Sequence, residues 1–164
     1  MKSFLSDRTH CVCVNGKLSP SAPVTSGIPQ GSVLGPVLFV LYINDLPDAV
    51  NNEVFLFADD TKIYSKISNI TDAESLQHDL DFLQSWSEKW LLSFHPEKCK
   101  VIRLGNKDGV PFNYKLGDAT LQDTICEKDL GVQIDNSLTF SKHINEKVIK
   151  ANSMMGVYLI YIYI

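Results

Sequence analysis

Two adjacent carboxylates, Asp59 and Asp60, follow directly on the apolar segment Val54 to Phe57. Neighbouring residues of a strand point to opposite faces, so two consecutive side chains reach one site only where the chain reverses. There the two charges repel unless a divalent cation neutralises them, and carboxylate oxygens are the donors that Mg²⁺ takes. A tight acidic turn between two strands can therefore hold Mg²⁺. On the pair alone a solvated turn is the commoner outcome, and both readings stay open.

A second constellation lies upstream, in Ser26-Gly27-Ile28-Pro29-Gln30-Gly31-Ser32-Val33-Leu34-Gly35-Pro36. Gly27, Gly31 and Gly35 allow positive φ or close backbone approach, Pro29 stiffens the loop, and Gln30 can donate and accept beside a base or sugar edge without adding charge. By composition alone a glycine-punctuated loop before a helix is the commoner reading.

The elements around these residues can be read from periodicity. Residues 11–25 predict a hairpin about Asn15-Gly16, the strongest two-residue turn signal, with a return strand weakened by two prolines. Val33 to Asp45 is apolar almost all round, which predicts a buried helix stopped at Leu46-Pro47. Glu53–Ala58 and Thr61–Ile67 read as two strands hinged at Asp59-Asp60. Thr71 and Glu74 fit a capping box, and Leu76, Leu80, Leu83, Trp86 and Trp90 form the apolar stripe of a helix whose Gln77, Asp79, Asp81 and Glu88 face solvent. Both tryptophans fall on the stripe, so they are expected in the core rather than as stacking platforms. Short strands follow near Lys100–Leu104, Asn113–Leu116 and Leu130–Ile134, punctuated by Gly105, Gly109, Gly117 and Gly131. A last amphipathic helix is expected from Ser141, burying Ile144, Val148, Ala151 and Met155. The terminal VYLIYIYI, residues 157–164, is uncharged and β-prone, an aggregation liability if exposed, and reads as a truncated or aberrant end.

The 164 residues, 45% apolar and 21% charged, suit one compact domain. A formal charge of −4 gives no global basic footprint, so contact with nucleic acid would need a local patch or further chain. Cys11, Cys13, Cys99 and Cys126 lack zinc spacing and disulfide density, so they read as free thiols of a reducing compartment, with Cys11 and Cys13 in core or half-buried positions. The N-terminus has no apolar signal region, and Val33 to Ile43 is too short to span a bilayer, so an intracellular, non-secreted and non-membrane protein is expected.

Taken together, SGIPQGSVLGPVLFVLYINDL and FLFADDTKIY resemble motifs B and C of reverse transcriptases of non-LTR (LINE-type) retrotransposons. LSFHPEKCKVIRLG is similar to motif D, and KDLGVQID to motif E, the primer grip. SFLSDRTHCVCVNG resembles the segment before motif B, and KHINEKVIKANSMMGV the helix after motif E, so the likeness covers the chain to about Val157.

The resemblance implies an α/β (α+β) fold, a partial polymerase palm whose antiparallel sheet carries the motif C hairpin packed on helices. Residues 1–104 would form the palm with motifs B, C and D, and residues 105–164 the primer-grip region and the start of a following helix. It implies that Asp59 and Asp60 bind catalytic Mg²⁺. Gln30 and Gly31 would lie along template and incoming nucleotide, with Ser26, Gly27 and Pro29 shaping their loop. Lys98 would stand near the leaving pyrophosphate as general acid or charge stabiliser, and it is equally an exposed lysine beside Glu97. His95 departs from the asparagine usual in that loop. Leu130, Gly131 and Val132 would form the primer grip.

The partners implied are an RNA template, a DNA primer and deoxynucleoside triphosphates. Upstream of motif B the only acidic residue is Asp7, in a stretch that matches the segment after motif A, so neither motif A nor fingers is expected here. The expected function is therefore that of a fragment of an RNA-directed DNA polymerase, inactive alone. An active enzyme completed by further chain, a non-enzymatic nucleic-acid-binding remnant and an inert pseudogene product remain the alternatives.

Overall fold

The computed structural model describes residues 2–105 and 110–162, which form two compact units: Met1–Asp45 with Leu56–Thr61, and Leu46–Phe55 with Lys62–Ile164. The predicted Gly109 punctuation and the last two residues of the terminal tail lie outside the described residues.

In the first unit, α1 (Lys2–Leu5) precedes two nested ladders. β1 (Thr9–His10) pairs antiparallel with β4 (Ala22–Pro23), and inside it β2 (Cys13–Val14) pairs with β3 (Lys17–Leu18) across Asn15-Gly16. Both turn residues take positive φ, 50° and 76°, as an Asn-Gly hairpin requires. Cys11 and Cys13 are exposed here, not buried as the β-branched stretch suggested, because each ladder is two residues long and nothing covers its face. Cys99 is half-buried, and burial pushes its thiol pKa up against the opposing pull of Lys100. Alkylation at mildly alkaline pH should accordingly modify Cys11 and Cys13 well before Cys99, read by peptide mass spectrometry.

The predicted apolar helix is α2 (Leu34–Ile43), followed by a 3₁₀ turn at Pro47–Ala49. Only Gly35 and Ile43 of it are buried, while Val37, Val40 and Leu41 are more than half exposed. The expectation of a buried helix fails for its sides: a helix that is apolar all round needs cover on several faces, and among the described residues these faces lack it.

The second unit is organised by α3 (Ile70–Trp90). It begins two residues earlier than Thr71 and Glu74 suggested. Asn69 is the N-cap: its side chain accepts from Asp72 N at 3.0 Å, and Asp72 accepts in return from the backbone N–H of Asn69 and Ser68. The shift lets one carboxylate satisfy two donors ahead of the helix. Asn69→Ala should cost about 1 kcal/mol in denaturant unfolding. Leu80, Leu83 and Trp86 are buried and Leu76 and Trp90 half-buried, as the stripe predicted.

Two residues of α3 expected to face solvent instead bond to other segments. Gln77 donates to Lys115 O and accepts from Lys115 N, so its amide pairs with β8 (Lys115–Leu116) as a strand would. Asp79 is wholly buried. Leu46, Ala73, Tyr114 and Leu116 complete this unit's core.

The remaining strands form separate two-stranded ladders rather than one continuous sheet. β5 (Glu53–Phe57) pairs with β6 (Asp60–Tyr64), β7 (Lys100–Ile102) runs parallel to β10 (Gln122–Thr124), and β8 pairs with β9 (Ala119–Thr120). β11 (Cys126–Asp129) pairs antiparallel with β12 (Val132–Asp135). Mixed helices and small, mainly antiparallel ladders make this an α+β fold.

The chain ends in α4 (Ser141–Ile162), which packs on β12. Its expected stripe is uncovered: Ile144, Val148 and Met155 are each at least half exposed, and Ala151 is exposed too. The backbone of the β-prone tail is helical through Ile162, because it continues a helix already formed. No helix among the described residues is long and apolar enough to cross a membrane.

Candidate active site

The acidic turn lies between β5 and β6. Ala58 and Asp59 form the two-residue reversal, and Asp60 is the first residue of β6. Ala58 adopts φ of 52°, a left-handed conformation that costs a residue with a Cβ about 1 kcal/mol. A longer, relaxed loop would avoid that cost; the tight one keeps the two carboxylates at the end of a rigid hairpin. Both are exposed, and among the described residues neither side chain has an ion pair or hydrogen bond. Nothing among those residues neutralises them. They are hard oxygen donors suited to Mg²⁺, but among the described residues no cluster of three potential ligands exists. The donor set therefore fits one part of a metal cage, and a closed site needs further oxygens.

The Gln30 loop is held at both ends. Ser32 Oγ donates to Pro29 O at 2.7 Å and accepts from Gly35 N at 3.1 Å, tying the loop to the first turn of α2. A Cβ on Gly35 would lie 2.9 Å from Ile28 Cδ1 and 3.0 Å from Ser32 Oγ, so a side chain there would displace the Ile28 tip and disturb the Ser32 bond. Gly27 and Gly31 take φ of 73° and 81°, which a side chain would strain. Ser26 and Gln30 are exposed and Pro29 is half-buried. This loop and the acidic turn belong to the same unit.

Lys98 and the motif E residues belong to the other unit. Lys98 is exposed at a turn where its N–H donates to His95 O at 2.9 Å. Leu130 and Gly131, with φ of 44° and 89°, form the two-residue turn between β11 and β12, closed by the pair Asp129 and Val132. In β6, Lys62 makes a salt bridge to Asp129, directly before that turn.

Sequence reading missed Asp79. Its Oδ1 accepts from Asn51 N (3.0 Å) and Nδ2 (3.3 Å), and its Oδ2 from Asn52 N (2.8 Å) and Nδ2 (2.7 Å). Burial raises the pKa of such a carboxyl, but the four bonds outweigh it and hold the group below its ordinary value. The clasp fixes the two residues that lead into β5. An acidic residue one turn from a buried leucine was the only sequence signal, and it reads as solvated.

The acidic turn and the glycine loop with its exposed amide thus lie in one unit. The chain belongs to the reverse transcriptase family: the family model described as reverse transcriptase (RNA-dependent DNA polymerase) matches residues 1–149. It is 37% identical over 153 residues to the RNA-directed DNA polymerase from mobile element jockey of Drosophila melanogaster, covering 88% of this chain and 17% of the relative. The jockey polymerase of Drosophila funebris is 36% identical with the same coverage. The probable polymerase of transposon X-element of Drosophila melanogaster is 29% identical, over 89% of this chain and 17% of the relative. The recognition made on motifs, a non-LTR reverse transcriptase, stands. The chain spans about 17% of the length of these curated relatives. No solved structure matches it.

Proposed function

We propose that this chain is the motif B to E portion of an RNA-directed DNA polymerase palm, and that it supplies Asp59 and Asp60 to the metals of nucleotide addition. The observation that carries this reading is the pair of unneutralised carboxylates on a tight hairpin, in one unit with the Gln30 loop. Bound Mg²⁺ would supply charge neutralisation at the α-phosphate during in-line attack by a primer 3′-hydroxyl. The residues' own parts are positional. Asp59 and Asp60 hold cation, Gln30 and Gly31 line template and incoming nucleotide, and Ser26, Gly27 and Pro29 shape that loop. Leu130, Gly131 and Val132 grip the primer, and Lys98 steadies the leaving group.

With no third potential ligand clustered on this pair among the described residues, the reading expects residues 1–164 alone to hold Mg²⁺ weakly and not to polymerise. In this reading residues 1–104 are palm and 105–164 the primer-grip region. The uncovered faces of α2 and α4, with the tail at 157–164, favour self-association of the isolated chain.

Primer extension on a primed RNA template with Mg²⁺, comparing this chain with Asp59→Asn, tests the reading. Salt-weakened binding without extension by either is expected. Extension that the substitution abolishes would overturn the inactivity. Absence of any binding would count against the palm.

A further inference from the structure

Arg8 stands outside motifs B to E, yet its side chain is tied to the backbone at the entry of the Gln30 loop. Its Nη2 donates to Gly27 O at 2.6 Å and lies 3.5 Å from Ser26 O, while its Nε donates to Leu5 O at 3.1 Å. Its own carbonyl accepts from Val24 N at 2.8 Å, at the end of the β1–β4 ladder. The guanidinium thus fastens the end of α1 and the entry to the loop onto one ladder. Among the described residues it has no carboxylate partner, so its donors serve backbone carbonyls.

At the far side Ser32 ties Pro29 O to Gly35 N. Pro29, Gln30 and Gly31 therefore hang between two pins, one of them Arg8. Gly27 at φ 73° directs its carbonyl to the guanidinium, and the space where its Cβ would lie is empty.

We propose that Arg8 is a positioning residue that holds the Gln30-Gly31 segment in the shape needed to meet a primed template, acting through the carbonyls of Ser26 and Gly27 rather than by touching nucleic acid. This rests on the polymerase-palm reading. The planar fork matters more than the charge, since Nε and Nη2 are held at the fixed spacing that serves Leu5 O and Gly27 O, which a single ammonium nitrogen does not reproduce. Arg8→Lys should therefore be nearly as harmful as Arg8→Met. A phosphate-contacting arginine would behave differently, because lysine would keep most of its binding.

The experiment uses the 164-residue chain and a primed RNA template, with amide hydrogen exchange as a second readout and exchange within α3 as the control for folding. Exchange of peptides covering residues 26–31 should speed up in Arg8→Lys while α3 is unchanged. Template binding should weaken about tenfold in both variants with the salt slope unaltered, and by less than about twofold when either is added to Gln30→Ala, since coupled residues are non-additive. Unchanged loop exchange in Arg8→Lys would overturn the proposal. So would Arg8→Lys binding like the wild type while Arg8→Met loses about one unit of salt slope, which marks a direct phosphate contact. A wild-type chain that binds no primed template would defeat the palm reading itself and Arg8's role in recognition with it, even if the exchange result shows the clamp.

Discussion

Asp79→Ala should lower unfolding stability by about 2–3 kcal/mol at neutral pH. The substitution removes one buried acceptor group and strands four donors, the backbone and side-chain N–H groups of Asn51 and Asn52. Bonds to a charged acceptor are the strong ones, and the donors of exposed Asn51 and half-buried Asn52 recover only part of that bonding from water. A loss of that size is a substantial part of a small domain's total stability. Asp79→Asn, with a single carbonyl oxygen, should lose about half as much.

The pH dependence has a defined sign. Because the folded pKa of Asp79 lies below its ordinary value of 3.8, its stabilisation is complete above that value and drains away as pH falls through the folded pKa. Urea titrations at neutral pH and near pH 3 should therefore show a steeper loss for the wild type than for Asp79→Asn. Part of the acid sensitivity will survive in the variant. Asp135 is also held below its ordinary value, first by the backbone N–H of Thr139 and then by those of Phe140 and Ser137, and its effect runs the same way. An equal slope in both proteins would mean that Asp79 is not the acid-sensitive group.

The second large effect concerns catalysis in a polymerase that contains this segment. Asp59→Asn should reduce nucleotide addition by about a thousandfold or more, because it removes a full charge from the proposed cation site. The chain offers no substitute, since among the described residues no third carboxylate joins the pair. The neighbouring strain at Ala58 makes a distinguishable control. Ala58→Gly relaxes a φ of 52° without touching an oxygen donor. It should leave the metal requirement intact and change the rate only modestly, whereas Asp59→Asn abolishes the response to Mg²⁺ at any concentration.

How much of this was legible in the sequence depends on the range of the interaction. The Asn15-Gly16 turn, the stripe of α3 and the loop glycines are decided by neighbours a few residues away, and their signals read correctly. The start of α3 was misread by two residues because Asn69/Asp72 and Thr71/Glu74 both offer an acceptor and a partner three apart. Only the placement of Ser68 favours the first. Asp79 was misread because its four donors come from residues 27 and 28 positions earlier, invisible to any local pattern.

The apolar faces of α2 and α4 were misread in the opposite sense. Periodicity reports which side of a helix avoids water, but not whether a covering surface exists. The acidic turn itself was legible only in company. Alone it was an ordinary turn, and together with the Gln30 loop it identified the family. Arg8 carried no local signal, since its role is set by carbonyls 18 and 19 residues away.

The most direct test of the central claim is a graft. The segment of the jockey polymerase that matches this chain would be replaced by residues 1–149, and RNA-templated primer extension measured with and without Asp59→Asn. The account predicts extension dependent on Mg²⁺ that falls by about a thousandfold or more in the substituted graft, with primer–template affinity little changed. A folded, template-binding graft that extends equally well with Asp59→Asn, or one that never extends at all, would contradict it.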